Sequence, residues 1–238
     1  RKPEEQAAAP AAPAAATAEP SPPPEQEKKQ ATPRSYEVQI ERKNETWATE
    51  VVLNGRVKKK FMVDTGASFC LIDWQTAMEL DMTINEDTPL YPTTTASGVV
   101  WQPFVVLKSM QVGDAKLENV EVSIHNMPYG GRLLGNSFLG RFKMSLDAFS
   151  GKMELHPLEG PPSPDRPGGY GKDYWQGRFR FFQNWLEGLR YYKEKLRTNF
   201  SPRSKFAAVN NTLRYVENQL DILERRASSC GVPRNWRQ

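Results

Sequence analysis

The sequence predicts a mainly β domain of short strands, a sandwich or a barrel, followed by a C-terminal α-helical hairpin. Three observations lead there. Between Ser35 and Pro157, short apolar runs recur at close spacing, the pattern of an all-β domain. Turn chemistry divides several of these runs: Asn54-Gly55, Gly113-Asp114 and Ser150-Gly151. Asn-Gly is the strongest of the three, because both residues tolerate the positive φ of a tight hairpin turn. Beyond Asp173 the apolar spacing changes to alternating steps of three and four, the mark of a helix seam.

Residues 1–34 come first, rich in Ala, Pro, Glu and Lys and containing Pro22-Pro23-Pro24. That composition cannot bury a core and reads as an extended, solvated linker. The β domain at 35–157 offers strands at Tyr36–Ile40, Thr49–Leu53, Lys60–Val63, Cys70–Ile72, Val99–Leu107, Met110–Val112, Val120–Ile124, Phe142–Leu146 and Lys152–Leu155. Residues 158–173 hold Pro161, Pro162, Pro164, Pro167 and Gly168-Gly169, and read as a second linker.

The hairpin follows at 174–231. Its first apolar row is Trp175, Phe179, Phe182, Leu186 and Leu189, resuming at Leu196 and Phe200. Its second is Phe206, Val209, Leu213, Val216, Leu220, Leu223 and Ala227. Ser201-Pro202 provides an N-cap and a proline at the first helical position. Gly231 and Pro233 end the second helix and leave a tail at 232–238.

Composition bounds the function. Hydrophobic residues make up 38% and charged residues 25%, lean for a chain folded throughout. The net charge of +4 is too weak to imply nucleic acid. The hairpin carries Arg178, Arg180, Arg190, Lys193, Lys195 and Arg197 among aromatics. Glu187, Glu194, Glu217, Asp221 and Glu224 interrupt them, so a solvated mixed-charge face is expected there, not a nucleic-acid or membrane surface. Three roles are open to the hairpin: docking on the β domain, helping to dimerise it, or binding a partner.

No apolar run is long enough to span a membrane. The first residue is Arg rather than Met, so a removed signal or anchor segment is expected upstream, with a membrane tether as its consequence. The two cysteines, Cys70 and Cys230, form no disulfide framework and lack metal-ligand spacing. His125 and His156 have no nucleophile motif beside them. Neither a metal nor a cofactor is expected.

The most informative stretch is Lys60-Phe61-Met62-Val63-Asp64-Thr65-Gly66-Ala67-Ser68. An apolar strand runs straight into Asp-Thr-Gly. Asp64 then stands at the strand end, Gly66 permits close approach of backbone, and the Thr65 hydroxyl is available to lock the loop from beneath. Aspartate is also common in plain turns, and a strand end alone would account for Leu133-Leu134-Gly135.

Taken together, Asp64-Thr65-Gly66-Ala67-Ser68 and Leu133-Leu134-Gly135-Asn136-Ser137-Phe138-Leu139 resemble the paired signatures of retropepsin-like aspartic peptidases, with bacterial cell-envelope members the most similar. The resemblance covers 35–157. It implies a single-lobe acid protease barrel, an aspartic endopeptidase activity and a polypeptide substrate. It assigns catalysis to Asp64, Thr65 and Gly66. It places substrate contacts at Ala67, Leu134 and Gly135, and at a flap whose tip is Ser97-Gly98-Val99.

The family's chemistry needs two carboxylates around one water, and the chain holds a single Asp-Thr-Gly. The resemblance therefore implies a homodimer with Asp64 facing Asp64. Ala67 stands where pepsin-like enzymes usually carry a serine that stabilises the charged carboxylate, so the expected pH optimum is mildly acidic. Retroviral members end soon after the second signature, whereas this chain continues, so its dimer interface is expected to be built differently. The alternative in another class is a non-catalytic peptide-binding or scaffold protein whose hairpin carries the interaction. The expected location is a bacterial periplasm or cell envelope.

Overall fold

Alternating burial builds the β strands. They are β1 (Tyr36–Gln39), β2 (Glu41–Lys43), β3 (Thr46–Leu53), β4 (Val57–Val63) and β5 (Cys70–Asp73), then helix α1 (Trp74–Glu79), then β6 (Leu90–Thr95), β7 (Gly98–Val112), β8 (Ala115–His125) and β9 (Leu133–Leu134). Helix α2 (Asn136–Leu139) and the hairpin of β10 (Phe142–Asp147) and β11 (Lys152–Pro157) complete the β region. Two long helices follow, α3 (Lys172–Thr198) and α4 (Arg203–Ser229). The structure is a computed structural model and describes residues 35–95, 98–125, 131–198 and 203–238. The linker expected at 1–34, the flap residue Ser97, and the seam and cap residues Phe200, Ser201 and Pro202 lie outside the described residues.

Eight strands form one sheet in the order β2-β3-β4-β9-β5-β8-β7-β6. A further β3–β7 pairing, Val51 to Val112 through Leu53 to Met110, closes it into a barrel. Inward residues Val51, Leu53, Phe61, Cys70, Ile72, Leu107, Met110, Val112, Val122 and Leu134 are fully buried. The expected turn at Asn54-Gly55 is present, with φ of 48° and 70°. The Asn54 side chain also accepts from the Ser109 N–H at 3.1 Å, tying that turn to β7. A separate three-stranded sheet, β1-β11-β10, packs into the same core through Val38, Met153 and Leu155.

Strands β6 and β7 differ from expectation, as does β2, which follows the run expected to end at Ile40. The runs at Val99–Leu107 and Met110–Val112 are one continuous strand, β7. The polar Lys108-Ser109 step does not end the strand: Lys108 has no partner in the ladder and Asn119 opposite it takes a φ of 54°, but pairing with β8 resumes at Ser109, opposite Glu118. Strand β6 is not among the expected runs, and Pro92 lies within it. It is the edge strand of the sheet, where a missing N–H costs no ladder bond.

The helices do not pack only on each other. Trp175, Phe179, Phe182, Leu186 and Leu189 are buried as the seam requires, and so are Val209, Leu213, Val216, Leu223 and Ala227. The same apolar cluster continues into the barrel through Phe69, Tyr91, Trp101 and Phe104. Residues 33–238 thus form one compact unit, with the hairpin docked on the β region. Both cysteines are free: Cys70 is buried and Cys230 half-buried.

Candidate active site

The site begins with the pairing of β4 and β9. Val63 and Leu134 run parallel as neighbours, and the Asp64 N–H donates to the Leu134 carbonyl at 3.1 Å. Because β9 lies between β4 and β5, the Asp64 loop leaves one side of β9 while Gly135 and α2 leave its end. The two sequence signatures, far apart in the chain, therefore meet.

The Asp64 carboxylate is half-buried, and its Oδ1 accepts the Gly66 N–H at 2.9 Å. The Ala67 N–H donates to the Asp64 carbonyl at 3.3 Å, curling the loop into a turn. From below, the Asn136 side-chain amide donates to the Thr65 carbonyl at 2.7 Å, and the Asn136 N–H donates to the Ala67 carbonyl at 2.8 Å. Asn136 thus holds the loop at both ends, whereas Thr65 itself is exposed. The lock expected of the Thr65 hydroxyl is supplied by Asn136.

Gly135 is buried because the loop presses on it. A Cβ there would lie 2.3 Å from the Phe69 carbonyl oxygen and 2.9 Å from that of Ala67. Cys70 brackets the same residue, its sulfur accepting the Gly135 N–H at 3.3 Å. Burial pushes the Cys70 thiol up, so it serves as a neutral packing group.

A second support sits behind β9. The Arg132 guanidinium reaches Asp73 Oδ2 at 2.6 Å and donates through Nε to the Lys60 carbonyl at 3.1 Å. It therefore ties the start of β9 to both neighbouring strands. Asp73 also caps α1, accepting the Thr76 N–H at 2.7 Å. Burial pushes the Asp73 carboxyl up. Hydrogen bonding from Thr76 and the Arg132 charge outweigh that and hold it below the usual carboxylate range.

Above the loop lies a cavity of about 340 Å³ between Gly66, Ala67 and Ser68 on one side and Tyr91, Pro92 and Thr93 of β6 on the other. It meets the Asp64 turn at Gly66 and Ala67.

The sequence-predicted residues fall into three groups. Asp64, Thr65, Gly66 and Ala67 form the loop, and Gly66 and Ala67 line this cavity. Gly98 and Val99 stand at the start of β7, Gly98 with φ of 116° and Val99 well exposed, while Ser97 is outside the described residues. Leu134 and Gly135, expected to contact substrate, are buried. The Leu134 side chain lies in the barrel core because β9 is an interior strand, and its part is to position the Asp64 loop.

Sequence reasoning missed the supporting roles of Asn136 and of the Arg132–Asp73 pair. A small polar residue directly after the second-signature glycine was a signal for the first. Nothing in the sequence signals the second, since its partners are far apart in the chain.

Residues 49–141 match the family model described as "gag-polyprotein putative aspartyl protease". No curated protein matches the chain. Among solved structures the chain is similar to a retropepsin-like aspartic protease from Rickettsia conorii. That likeness has 27% identity and a TM-score of 0.44, and covers 52% of this chain and 92% of the other. Asp64, carried on a clamped turn beside an open cavity, lies inside the matched segment, so the β region of this chain is similar to the aspartyl proteases of that family over residues 49–141.

Proposed function

We propose that the protein is an aspartic endopeptidase that hydrolyses extended polypeptides as a homodimer, with one Asp64 from each copy flanking the attacking water. The observation that carries this is the Asp64 turn. Its carboxylate is held by the Gly66 N–H, its backbone is clamped by Asn136, and Thr65 and Gly66 are exposed to whatever faces them. One such turn per chain supplies half of a two-carboxylate centre, and an isologous twofold contact supplies the other half.

The chemistry follows from two close carboxylates, which do not both ionise readily and so share one proton. The ionised one takes a proton from water as the oxygen attacks the peptide carbonyl carbon. The protonated one gives its proton to the carbonyl oxygen. On collapse of the tetrahedral intermediate the C–N bond breaks, the amine leaves with the proton that the first carboxylate took from water, and a hydroxyl proton returns to the second carboxylate, leaving the carboxylic acid product. Because residue 67 is alanine, no side-chain hydroxyl there stabilises the charged state, which supports a mildly acidic optimum. The Ala/Pro-rich N-terminal composition supports placement in a bacterial periplasm or cell envelope.

The test is digestion of an unfolded protein mixture between about pH 3 and 8 by wild type and Asp64→Asn, with solution mass recorded for both. Wild type is expected to cut best in the mildly acidic range as a dimer. The variant is expected to lose at least about a thousandfold in rate, as removal of an essential acid–base group does, while keeping its fold and mass. A strictly monomeric active enzyme would rule out the symmetric centre. Equal cutting by both proteins would remove Asp64 from the mechanism. A folded dimer that binds peptide and never cuts would favour the scaffold reading.

A further inference from the structure

Beside the cavity over the Asp64 loop lies a second recess, of about 350 Å³, whose far wall is helix α3. Ser68 and Phe69, the residues that leave the catalytic turn, line both spaces. The helix contributes Tyr174, Gly177, Arg178 and Phe181. The wall is held in place from two sides. Arg178 grips Glu121 of β8 with two hydrogen bonds, at 2.7 and 2.5 Å. The Phe181 ring stands edge-on to Phe69 at 5.2 Å and stacks with Tyr91 at 5.9 Å.

Gly177 is the telling residue. A glycine inside a helix destabilises it relative to alanine, and this one stands one turn from Tyr174 and Phe181 on the recess. Packing within the chain does not require it, since a Cβ built there meets nothing within 4 Å. The effect of the glycine is to leave the recess wide and the helix backbone approachable.

We infer that this recess is an outer subsite of the peptidase, formed jointly by the catalytic domain and helix α3, and that it takes a large apolar or aromatic side chain of the polypeptide substrate at a distance from the scissile bond. The inference rests on the peptidase reading above. Because Ser68 and Phe69 line both spaces, the occupant assigned to the recess is the same substrate chain proposed to lie over Asp64. The rings of Phe181 and Tyr174 flank the space; the Arg178 charge is matched by Glu121 and lies 4.9 Å from the Phe182 ring, the Arg141 guanidinium lies 5.1 Å from the Tyr174 ring, and Asp173, which also lines the recess, is exposed to water. An uncharged, bulky side chain is the chemistry that such walls favour.

The test uses the full chain. A cleavage sequence taken from the unfolded-protein digest is extended one residue at a time on each side, with either phenylalanine or aspartate at the new end. For wild type, kcat/KM is expected to rise when one particular extension carries phenylalanine and not aspartate. Gly177→Leu fills the recess and should raise the melting temperature, as leucine favours a helix over glycine. It should also erase that rise, a loss of roughly tenfold to a hundredfold in the ratio of long to short substrate. Gly188→Leu is the control: Gly188 is equally open on the same helix but lines neither space, and the ratio should stay at the wild-type value. An extension profile that is flat in wild type, or unchanged in Gly177→Leu, overturns the subsite while leaving the peptidase standing. If Asp64→Asn cuts as wild type does, both fall together.

Discussion

At the scale of single residues, the carboxylates of this chain divide by their supports. Asp64 stands at a turn and takes one backbone N–H on its Oδ1. Asp73 resembles it in sequence only as a strand-end aspartate, yet it is spent on structure, paired with Arg132 and capping α1. Its folded value is held below the ordinary one, so its contribution to stability is full above the unfolded value, about pH 4. That contribution is lost as pH falls through the lower folded value. Asp73→Asn keeps a cap-competent side chain but loses the ion pair, and is expected to destabilise at pH 7 by about 2 kcal/mol. Urea unfolding at pH 7 and near pH 3 checks this: the gap between wild type and variant should shrink at the lower pH. A gap of equal size at both would mean that Asp73 acts through packing alone. The mildly acidic range proposed for activity lies above the loss, so β9 keeps its anchor where the enzyme works.

At the scale of elements, the contact between α3 and β8 is the least expected feature. The basic residues of the hairpin read as part of a mixed-charge solvated face, and Arg180, Arg190, Lys195 and Arg197 are exposed, whereas the aromatics Phe182 and Trp185 among them are buried. Arg178 is the exception, with its side chain only 23% exposed and Glu121 opposite at 14%. Removing one member of such a pair strands the other charge in a poorly solvated place, whereas replacing both with apolar groups does not. Arg178→Met is therefore expected to destabilise by about 3–5 kcal/mol, and the double variant Arg178→Met/Glu121→Leu to recover most of it. Chemical denaturation of the four proteins of the cycle measures the coupling. Additive losses would show the pair to be incidental. Helix α4 makes a similar but more polar contact: the Thr212 hydroxyl accepts the Leu90 N–H at 3.0 Å, and the Asn211 amide reaches Asp87 at 3.0 Å. The base of the β6–β7 hairpin is thereby held by the helices.

At the scale of the whole molecule, the segment matched by the peptidase family ends at residue 141, yet the apolar surface of this β region does not end with it. Phe69 and Phe104 are buried only because Phe181, Trp185 and Tyr215 lie over them, and Tyr91 and Trp101 share that cover. A fragment cut back to residues 35–157 would expose this aromatic face, a patch of the kind that drives association. It is expected to give less soluble protein than the full chain, to bind a hydrophobic dye and to unfold at lower temperature. Light scattering and thermal melts of the two forms decide the matter. A fragment as soluble and stable as the full chain would mean that the hairpin is accessory to the fold.

The reach of the sequence follows from these cases. The strand run into Asp64-Thr65-Gly66, the second signature at Leu133-Leu134-Gly135, the Asn54-Gly55 turn and the two helix seams are local patterns, written within a few residues each, and all were legible. Burial of Leu134, the clamp of Asn136 on Thr65, the Arg132–Asp73 anchor and the recess between Ser68 and Gly177 join residues that the chain keeps far apart. Side-chain period tells which face of an element is apolar and is silent on what covers it. A hydrogen bond or an ion pair between distant residues leaves no periodic trace. Only the closed barrel, with β9 threaded between β4 and β5 and the hairpin laid over Phe69, decided which of these residues would meet.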